Sequence, residues 1–258
     1  MKNKILDKKN RLILFPLISS YYEIRKKYKR SLLGPFWITL SLLFFIVILS
    51  FVVGIFLGSG SKSNLAYISV GIVAWHYISV SINESTTLFI ESESLMKQIN
   101  LPLYVYFLKI VFKNTIIFFH NALLIPFLFL YLKISVNITS LFSFVGLLLI
   151  AVNLLWICAV ASIISVRFRD FPPIIGSLLQ AFFYLTPIMW TFTQLDKIKS
   201  ILVQVNPFYH MIEVVRAPLI DGIFPFLSAA ILVILALFGN IFAYFIVNKY
   251  KFKIIYWL

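Results

Sequence analysis

The stretch Phe36-Trp-Ile-Thr-Leu-Ser-Leu-Leu-Phe-Phe-Ile-Val-Ile-Leu-Ser-Phe-Val-Val-Gly-Ile-Phe-Leu-Gly58 decides the fold. It holds no charged residue, and the uncharged run continues to residue 61. A helix needs about 20 residues at ~1.5 Å each to cross the ~30 Å hydrocarbon core of a bilayer, and this run supplies them. Further uncharged runs follow at 63–83, 114–132, 134–166, 171–195 and 223–248. Ser135, Asn137, Thr139 and Ser140 mark the start of the 134–166 run as loop. The third span begins earlier, near Tyr104, with Lys109 and Lys113 snorkelling toward the interface. The expected fold is all-α integral membrane, with six transmembrane helices at 36–58, 65–84, 105–131, 141–165, 172–191 and 225–247. Residues 1–35 then form a cytoplasmic amphipathic interfacial segment, 36–248 the transmembrane domain and 249–258 a cytoplasmic tail.

Composition agrees with this frame. Of 258 residues, 61% are apolar and 12% charged, and mean hydropathy is +0.98. A soluble domain carries about 25% charged residues and cannot hide so much apolar surface. Cys158 is the lone cysteine, which excludes a disulfide scaffold and reads as a small buried hydrophobe. No cleavable signal peptide is expected, because the first apolar span starts late, near residue 36, and is too long. The net charge of +14 would suggest nucleic acid in a soluble protein. Here 18 of the 23 basic residues fall in 1–35, 85–113, 166–171 and 248–258, and 5 in the opposite loops. By the positive-inside rule both termini are cytoplasmic, and no nucleic-acid partner is expected.

The polar flanks carry the functional signals. In 16–33, Leu17, Tyr21, Ile24, Tyr28 and Leu32 recur at helical spacing, with Arg25, Lys26, Lys29 and Arg30 on the other face. Pro16 suits a first helical turn, and Gly34-Pro35 breaks the helix before the first span. The segment reads either as a topology signal alone or as a helix lying among anionic headgroups that shapes a cytoplasmic entrance or docks a partner. Segment 91–103 has helical character up to Pro102, with Glu91 and Glu93 favouring its first turn and Leu95, Met96 and Ile99 on one side. Arg167, Arg169 and Asp170 form a tight cytoplasmic turn in which an Asp–Arg pair is structural, and Pro172-Pro173 starts the next helix. The outer loop 192–224 is semi-apolar, and Asn206-Pro207 splits it into 197–205 and 208–219. The first half lines up Ile198, Leu202 and Val205, the second Tyr209, Ile212, Val215 and Leu219. Each half is too short to span, and both suit re-entrant helices.

What is missing also informs. The span interiors hold no charged residue with which to drive ion-coupled transport, and Glu84 falls at an expected helix end. His76 and His120 are the titratable candidates and read as packing histidines, or, in a third reading, as bases of a membrane acyltransferase. There is no phosphate-binding Gly-x-x-x-x-Gly-Lys-Ser/Thr loop, no metal motif and no nucleophile elbow. Gly54-x-x-x-Gly58 matches a helix-packing motif. The chain therefore reads as a pore, a scaffold or the membrane half of a machine powered by another subunit.

Several motifs, in order, carry a resemblance. They are Tyr28-Lys-Arg-Ser-Leu-Leu-Gly-Pro-Phe-Trp37, Arg167-Phe-Arg-Asp170, Leu179-Gln-Ala-Phe-Phe-Tyr-Leu-Thr-Pro-Ile188 and Asn206-Pro-Phe-Tyr209. Together they resemble ABC-2 type permeases that export bacterial O-antigen, capsule or teichoic acid polymers. Pro172-Pro173 departs from the more polar pattern expected after Arg-Asp. The resemblance implies a permease of the bacterial cytoplasmic (inner) membrane, built as a homodimer over two copies of an ABC ATPase subunit. It implies that a lipid-linked polysaccharide crosses through a channel at the dimer interface. ATP and Mg are bound by the ATPase; no cofactor, metal or catalytic residue is expected in this chain. The resemblance makes 91–103 an ATPase-coupling helix, carried by Glu91, Glu93, Leu95, Met96 and Lys97. It makes Tyr21, Arg25, Tyr28, Arg30, Gly34 and Pro35 part of an interfacial gate helix, and Asn206 and Pro207 the hinge of the outer re-entrant pair. Sugar rings pack their C–H faces on aromatic faces, so Trp75, Phe182, Phe183, Tyr184 and Trp190 are the channel-lining candidates. A drug or lipid cargo on the same fold is the alternative.

Overall fold

In lipid a backbone satisfies its N–H and C=O groups only by closing them on itself, so apolar runs of this length become helices. The computed structural model describes residues 8–27, 29, 31, 33–34, 36–57, 62–99, 101–190 and 197–258, and among them there are helices and no strands. In chain order these are α1 (Lys8–Lys27), α2 (Phe36–Leu57), α3 (Lys62–Glu91), α4 (Glu93–Gln98), α5 (Leu103–Ala122) and α6 (Leu124–Leu132). A 3-10 turn at Ile138–Leu141 leads into α7 (Phe142–Arg167), followed by α8 (Phe171–Leu185), α9 (Lys197–Val205), α10 (Pro207–Ile220), α11 (Phe226–Tyr250) and α12 (Ile254–Trp257).

Among the described residues, five stretches are long and apolar enough to cross a membrane: Phe36–Ile55, Asn64–Glu91, Leu103–Leu132, Ile138–Arg167 and Phe226–Tyr250. The third joins α5 and α6 across a break at Leu123. Pro126 has no N–H for the carbonyl of Ala122, which is where the helix is interrupted. Of the six expected spans, the one at α8 is too short by itself for a full crossing. Its 15 residues reach about 22 Å at ~1.5 Å per residue, short of the ~30 Å core. The stop is local: Pro187 disfavours a helical Thr186, whose φ of −89° and ψ of 137° are extended. The expected span 172–191 extends further because residues 186–190 carry no charge to mark an end.

Two boundaries also move. Helix α3 runs to Glu91, so Glu84 lies within it and not at its end. Helix α1 starts at Lys8, which puts Pro16 inside the helix and not in its first turn. The face that α1 buries is Pro16, Ser20 and Ile24, while Leu17 and Tyr21 are exposed. The apolar stripe expected through Leu17 and Tyr21 therefore does not pack on protein. Tyr28, Arg30 and Pro35 lie outside the described residues. Gly34 takes φ +55°, a left-handed turn that suits glycine.

Helix α3 is the central element: 72% of its most apolar stretch is inside the protein, against 17% for α2. Helix α7 packs on both α3 and α11, and α10 lies across α3, α7 and α11. Small residues and buried polar groups join these helices, as is usual where lipid removes the hydrophobic drive between them. Asn153 of α7 donates to the carbonyl of Leu232 in α11 at 3.1 Å, and Tyr77 of α3 bonds Thr115 of α5 at 2.8 Å. Gly239 lies so close to Trp156 that a Cβ there would collide with the indole. Gly54 has nothing within 4 Å of such a Cβ, so it mediates no close helix contact among the described residues.

Gly146 of α7 faces the backbone of Val214 in α10, and a Cβ would meet that carbonyl oxygen. The neighbour is main chain and cannot rotate away. Gly146→Val is expected to cost about 2 kcal/mol through overpacking and to lower the thermal unfolding midpoint of the purified protein in detergent. An unchanged midpoint counts against close α7–α10 packing.

Candidate functional site

Two regions gather the polar and aromatic groups: the end where α8, α9 and α10 meet, and the end where α1, α4 and α5 meet.

At the first, α8 stops at Leu185 and Thr186-Pro187-Ile188 is folded inward, with all three buried. A buried non-helical backbone needs partners for its polar groups. The Pro187 carbonyl accepts from Arg216 Nη1 at 2.6 Å and from the Tyr67 hydroxyl at 3.2 Å. Asn206 caps α10 by accepting from the Phe208 N–H at 3.0 Å, and its Nδ2 donates to the Thr186 hydroxyl at 2.9 Å. Pro207 takes the first helical turn, as Asn206-Pro207 suggested.

Arg216 is 2% exposed. A buried guanidinium is tolerated only when paired and hydrogen-bonded. Glu213, one turn back, lies 2.6 Å from Nη2, and the guanidinium carbon stands 3.8 Å from the centre of the Tyr67 ring. Burial, and after it the charge of Glu213, raises the carboxyl of nearby Asp221 above the ordinary value, with Arg216 opposing. The sequence reading missed this cluster. The available signal was Glu213-x-x-Arg216, an opposite-charge pair at helical spacing in an otherwise apolar segment.

The aromatic candidates meet beside it. Trp75 of α3, 8% exposed, packs on Phe183 of α8 at 5.9 Å and on Phe208 of α10 at 5.5 Å. Phe182 reaches Phe208 at 5.0 Å, and Phe183 reaches Tyr184 at 5.4 Å and Phe45 of α2 at 6.2 Å. Trp190 donates its indole N–H to the Tyr184 carbonyl at 3.2 Å. The five candidates thus form one group, which Phe45 and Phe208 join. Of the five, Tyr184 is exposed at 57%. The outer halves 197–205 and 208–219 are the helices α9 and α10. Helix α10 buries Ile212 and Val215 as expected, whereas α9 turns Leu202 and Val205 outward and buries Val203.

At the other end, Glu23 of α1 lies 2.6 Å from Lys109 and 3.1 Å from Lys113, both on α5. Lys113 also reaches Glu84 of α3 at 2.9 Å, and Ser20 donates to the Lys109 carbonyl at 2.8 Å. The expectation that these lysines merely snorkel is corrected: they are ion-paired and tie α1 to α5. Tyr21 and Arg25 face outward from this junction. Helix α4 covers only Glu93–Gln98 of the expected 91–103, because α3 takes up Glu91, and Ile99 and Pro102 are extended. Glu93 pairs with Lys97 at 2.6 Å, and Glu91 accepts from Thr87 at 2.7 Å. Leu95 and Met96 are partly buried against the core. Arg167 stacks on the Trp257 ring of α12 at 5.1 Å, Arg169 and Asp170 are exposed, and no ion pair joins Asp170 to either arginine. The expected Asp–Arg pair is therefore corrected to an aromatic stack.

The histidines are hydrogen-bonded. His76 Nδ1 lies 3.3 Å from Asn121 Nδ2, and His120 Nδ1 lies 3.0 Å from the Ile116 carbonyl. His210, which the sequence reading passed over, is buried between Ser228 and the Gln204 carbonyl at 2.9 and 2.7 Å. Among the described residues no group of three His, Cys, Asp or Glu could hold a metal ion.

Two outcomes follow from these clusters. Arg216→Met leaves Glu213 unpaired and the Pro187 carbonyl short of a donor. It is expected to destabilise the protein by about 3 kcal/mol, with Arg216→Lys intermediate, read as thermal unfolding in detergent. For Glu23, burial is the largest influence and raises the carboxyl, but the hydrogen bond from Lys109 and the charges of Lys113 and Lys109 outweigh it, so its pKa sits below the ordinary value. A depressed carboxylate stabilises above its unfolded pKa, and that contribution is lost as pH falls through the folded value. Docking of α1 is expected to hold at pH 7 and to loosen below about pH 4. Glu23→Gln should loosen it at pH 7, seen as faster amide hydrogen exchange in α1.

Residues 17–220 match the family described as ABC-2 type transporter. Two curated relatives, both O-antigen export system permease protein RfbA of Klebsiella pneumoniae, are 23% identical over 237 and 235 residues, covering 90% of each chain.

Proposed function

Because the chain belongs to the ABC-2 type transporter family, a family whose permeases work with an ABC ATPase, we propose that it is the membrane-spanning permease subunit of an ATP-driven polysaccharide exporter. Its cargo is a lipid-linked glycan of the O-antigen, capsule or teichoic acid kind, moved from the cytoplasm across the bacterial cytoplasmic membrane. The observation that carries this reading is the likeness to the O-antigen export permeases along 90% of both chains. Two copies of the chain enclose the channel, and two ATPase subunits sit beneath them. The termini face the cytoplasm, in line with 18 of 23 basic residues lying on that side of the expected topology.

The geometry supports a division of labour. Helix α4 sits at the turn between two spans, with Ser94, Lys97 and Gln98 exposed, so a partner that grips it pulls on α3 and α5 together. In α1, Arg25 and Lys26 are exposed beside Tyr21 and Tyr22, a pattern suited to an anionic membrane surface. Helix α8 serves as the sixth, shortened crossing, with α9 and α10 re-entering from the far side and their broken backbone held by protein. The rings at Trp75, Phe182, Phe183, Tyr184 and Trp190 line the glycan path at that end, where flat apolar faces hold a sliding polymer without regard to sequence.

Loss of the gene is expected to leave undecorated glycan in the cytoplasm; unchanged surface glycan overturns the reading. Glu91→Lys combined with Glu93→Lys is expected to cut export at least tenfold while ATP hydrolysis by the partner continues. Full export in that variant removes α4 from the coupling role.

A further inference from the structure

Carboxamides inside the spans are, as a rule, closed onto protein. Asn114 donates to Glu84 at 2.9 Å, and Asn153 to the carbonyls of Leu149 and Leu232 at 2.9 and 3.1 Å. Asn240 donates to the carbonyls of Ala236 and Val152 at 2.8 and 3.3 Å. Asn83 of α3 and Gln180 of α8 depart from this rule. Both side chains are exposed, and neither has a hydrogen-bond partner among the described residues. Lipid cannot satisfy a carboxamide, so such a group faces protein or a water-filled cavity.

The two amides lie together and at the same depth. A Cβ added to Gly176 of α8 would stand 3.9 Å from Asn83 Oδ1, and Gln180 is one turn beyond Gly176. Helix α3 ends on the side where α8 begins, because two crossings, α5–α6 and α7, separate them. At ~1.5 Å per residue, Asn83 is about 12 Å from the Glu91 end of α3, and Gln180 about 14 Å from the Phe171 start of α8. Both therefore sit near the middle of a ~30 Å core. Each belongs to a polar stripe. Asn83, Thr87 and Glu91 recur every four residues on α3, and Ser177, Gln180 and Tyr184 are exposed at helical spacing on α8. The stripes run from Glu91 at one end to the aromatic group at the other. The exposed side chains of α11 from Phe226 to Phe242, by contrast, are all apolar. That surface suits lipid, and the Asn83–Gln180 face does not.

We propose that this face of α3 and α8 is the wall of the water-filled passage, and that Asn83 and Gln180 are its mid-membrane contact with the hydroxyls of the moving glycan. A carboxamide both donates and accepts, as a sugar hydroxyl does, and it carries no charge that would hold the polymer fast. An amide pair joining two helices needs only one depth. Here polar groups continue above and below the pair, which a passage requires and a helix contact does not. The proposal rests on the exporter reading for its cargo.

The test uses the full-length chain in inverted vesicles of its native membranes, with ATP supplied. Cys158 is buried, so the unsubstituted chain is the blank. Asn83→Cys and Gln180→Cys are treated with a charged, membrane-impermeant methanethiosulfonate, beside Leu237→Cys on the apolar face of α11. Both are expected to react roughly tenfold faster than Leu237→Cys. Reaction of both at the Leu237→Cys rate overturns the proposal. A copper-catalysed disulfide between copies of a slow-reacting Gln180→Cys variant overturns it as well, and marks a contact sealed by the second copy. In cells, Asn83→Leu with Gln180→Leu is expected to lower surface glycan at least fivefold at unchanged chain abundance in the membrane. Asn83→Ser with Gln180→Ser should keep at least half. The two readings fail separately. Unaltered surface glycan in the leucine pair, where gene loss abolishes it, overturns this proposal alone. Unaltered surface glycan on gene loss overturns the exporter reading, and with it the cargo named here.

Discussion

A peptide carbonyl inside a membrane has no water to bond, and most of this structure follows from that one fact. It makes the long apolar segments helical, and it sets a strict condition wherever a helix must stop. Pro187 is the clearest case. Its carbonyl lies just past the end of α8, buried, with no helical partner to close on. Two long side chains from other elements supply donors, Tyr67 from α3 and Arg216 from α10. Arg216 brings a charge, so Glu213 must accompany it, and the Tyr67 ring covers the cation. The end where α8 and α10 meet is held by this chain of consequences: proline stops a helix, the freed carbonyl calls for a donor, and the donor calls for a counter-charge.

The same condition explains what could be read from sequence and what could not. Span positions depend on hydropathy alone, so five of them were legible, as were the split at Asn206-Pro207 and the start of α8 at Pro172-Pro173. The stop of α8 was not, because Thr186 to Trp190 are apolar enough to pass for more helix. Only the conformational restriction on the residue before Pro187 marks the break. The burial face of α1 was misread for a related reason. Its protein-facing stripe is Pro16, Ser20 and Ile24, while Leu17 and Tyr21 turn away from the bundle. An apolar stripe on a helix beside lipid does not say whether it faces protein or membrane.

Charged residues follow a similar logic. Lys109 and Lys113 looked like interfacial anchors because each is a lone cation near a span end. Glu23, the partner of both, is 86 residues from Lys109 and 90 from Lys113, and Glu84 is 29 from Lys113; pairing at such separation leaves no local pattern. Glu213 and Arg216 are three residues apart and did leave one. The aromatic group shows the intermediate case. Trp75, Phe182 and Phe183 were singled out for their chemistry, and the structure brings them together, but through Phe208 and Phe45, which no spacing rule links to them.

Membrane context also changes which exposed groups carry information. Helix α2 shows Phe44, Phe45, Ile48, Phe51 and Ile55 on its surface, which in water would demand a partner. In lipid such a face is already satisfied, so its exposure argues for neither a second copy nor solitude. A polar group is the opposite: lipid cannot satisfy it, and an orphan needs an explanation that an apolar patch does not. By that measure the Tyr106 hydroxyl, buried and without a hydrogen-bond partner among the described residues, calls for more explanation than the whole apolar face of α2.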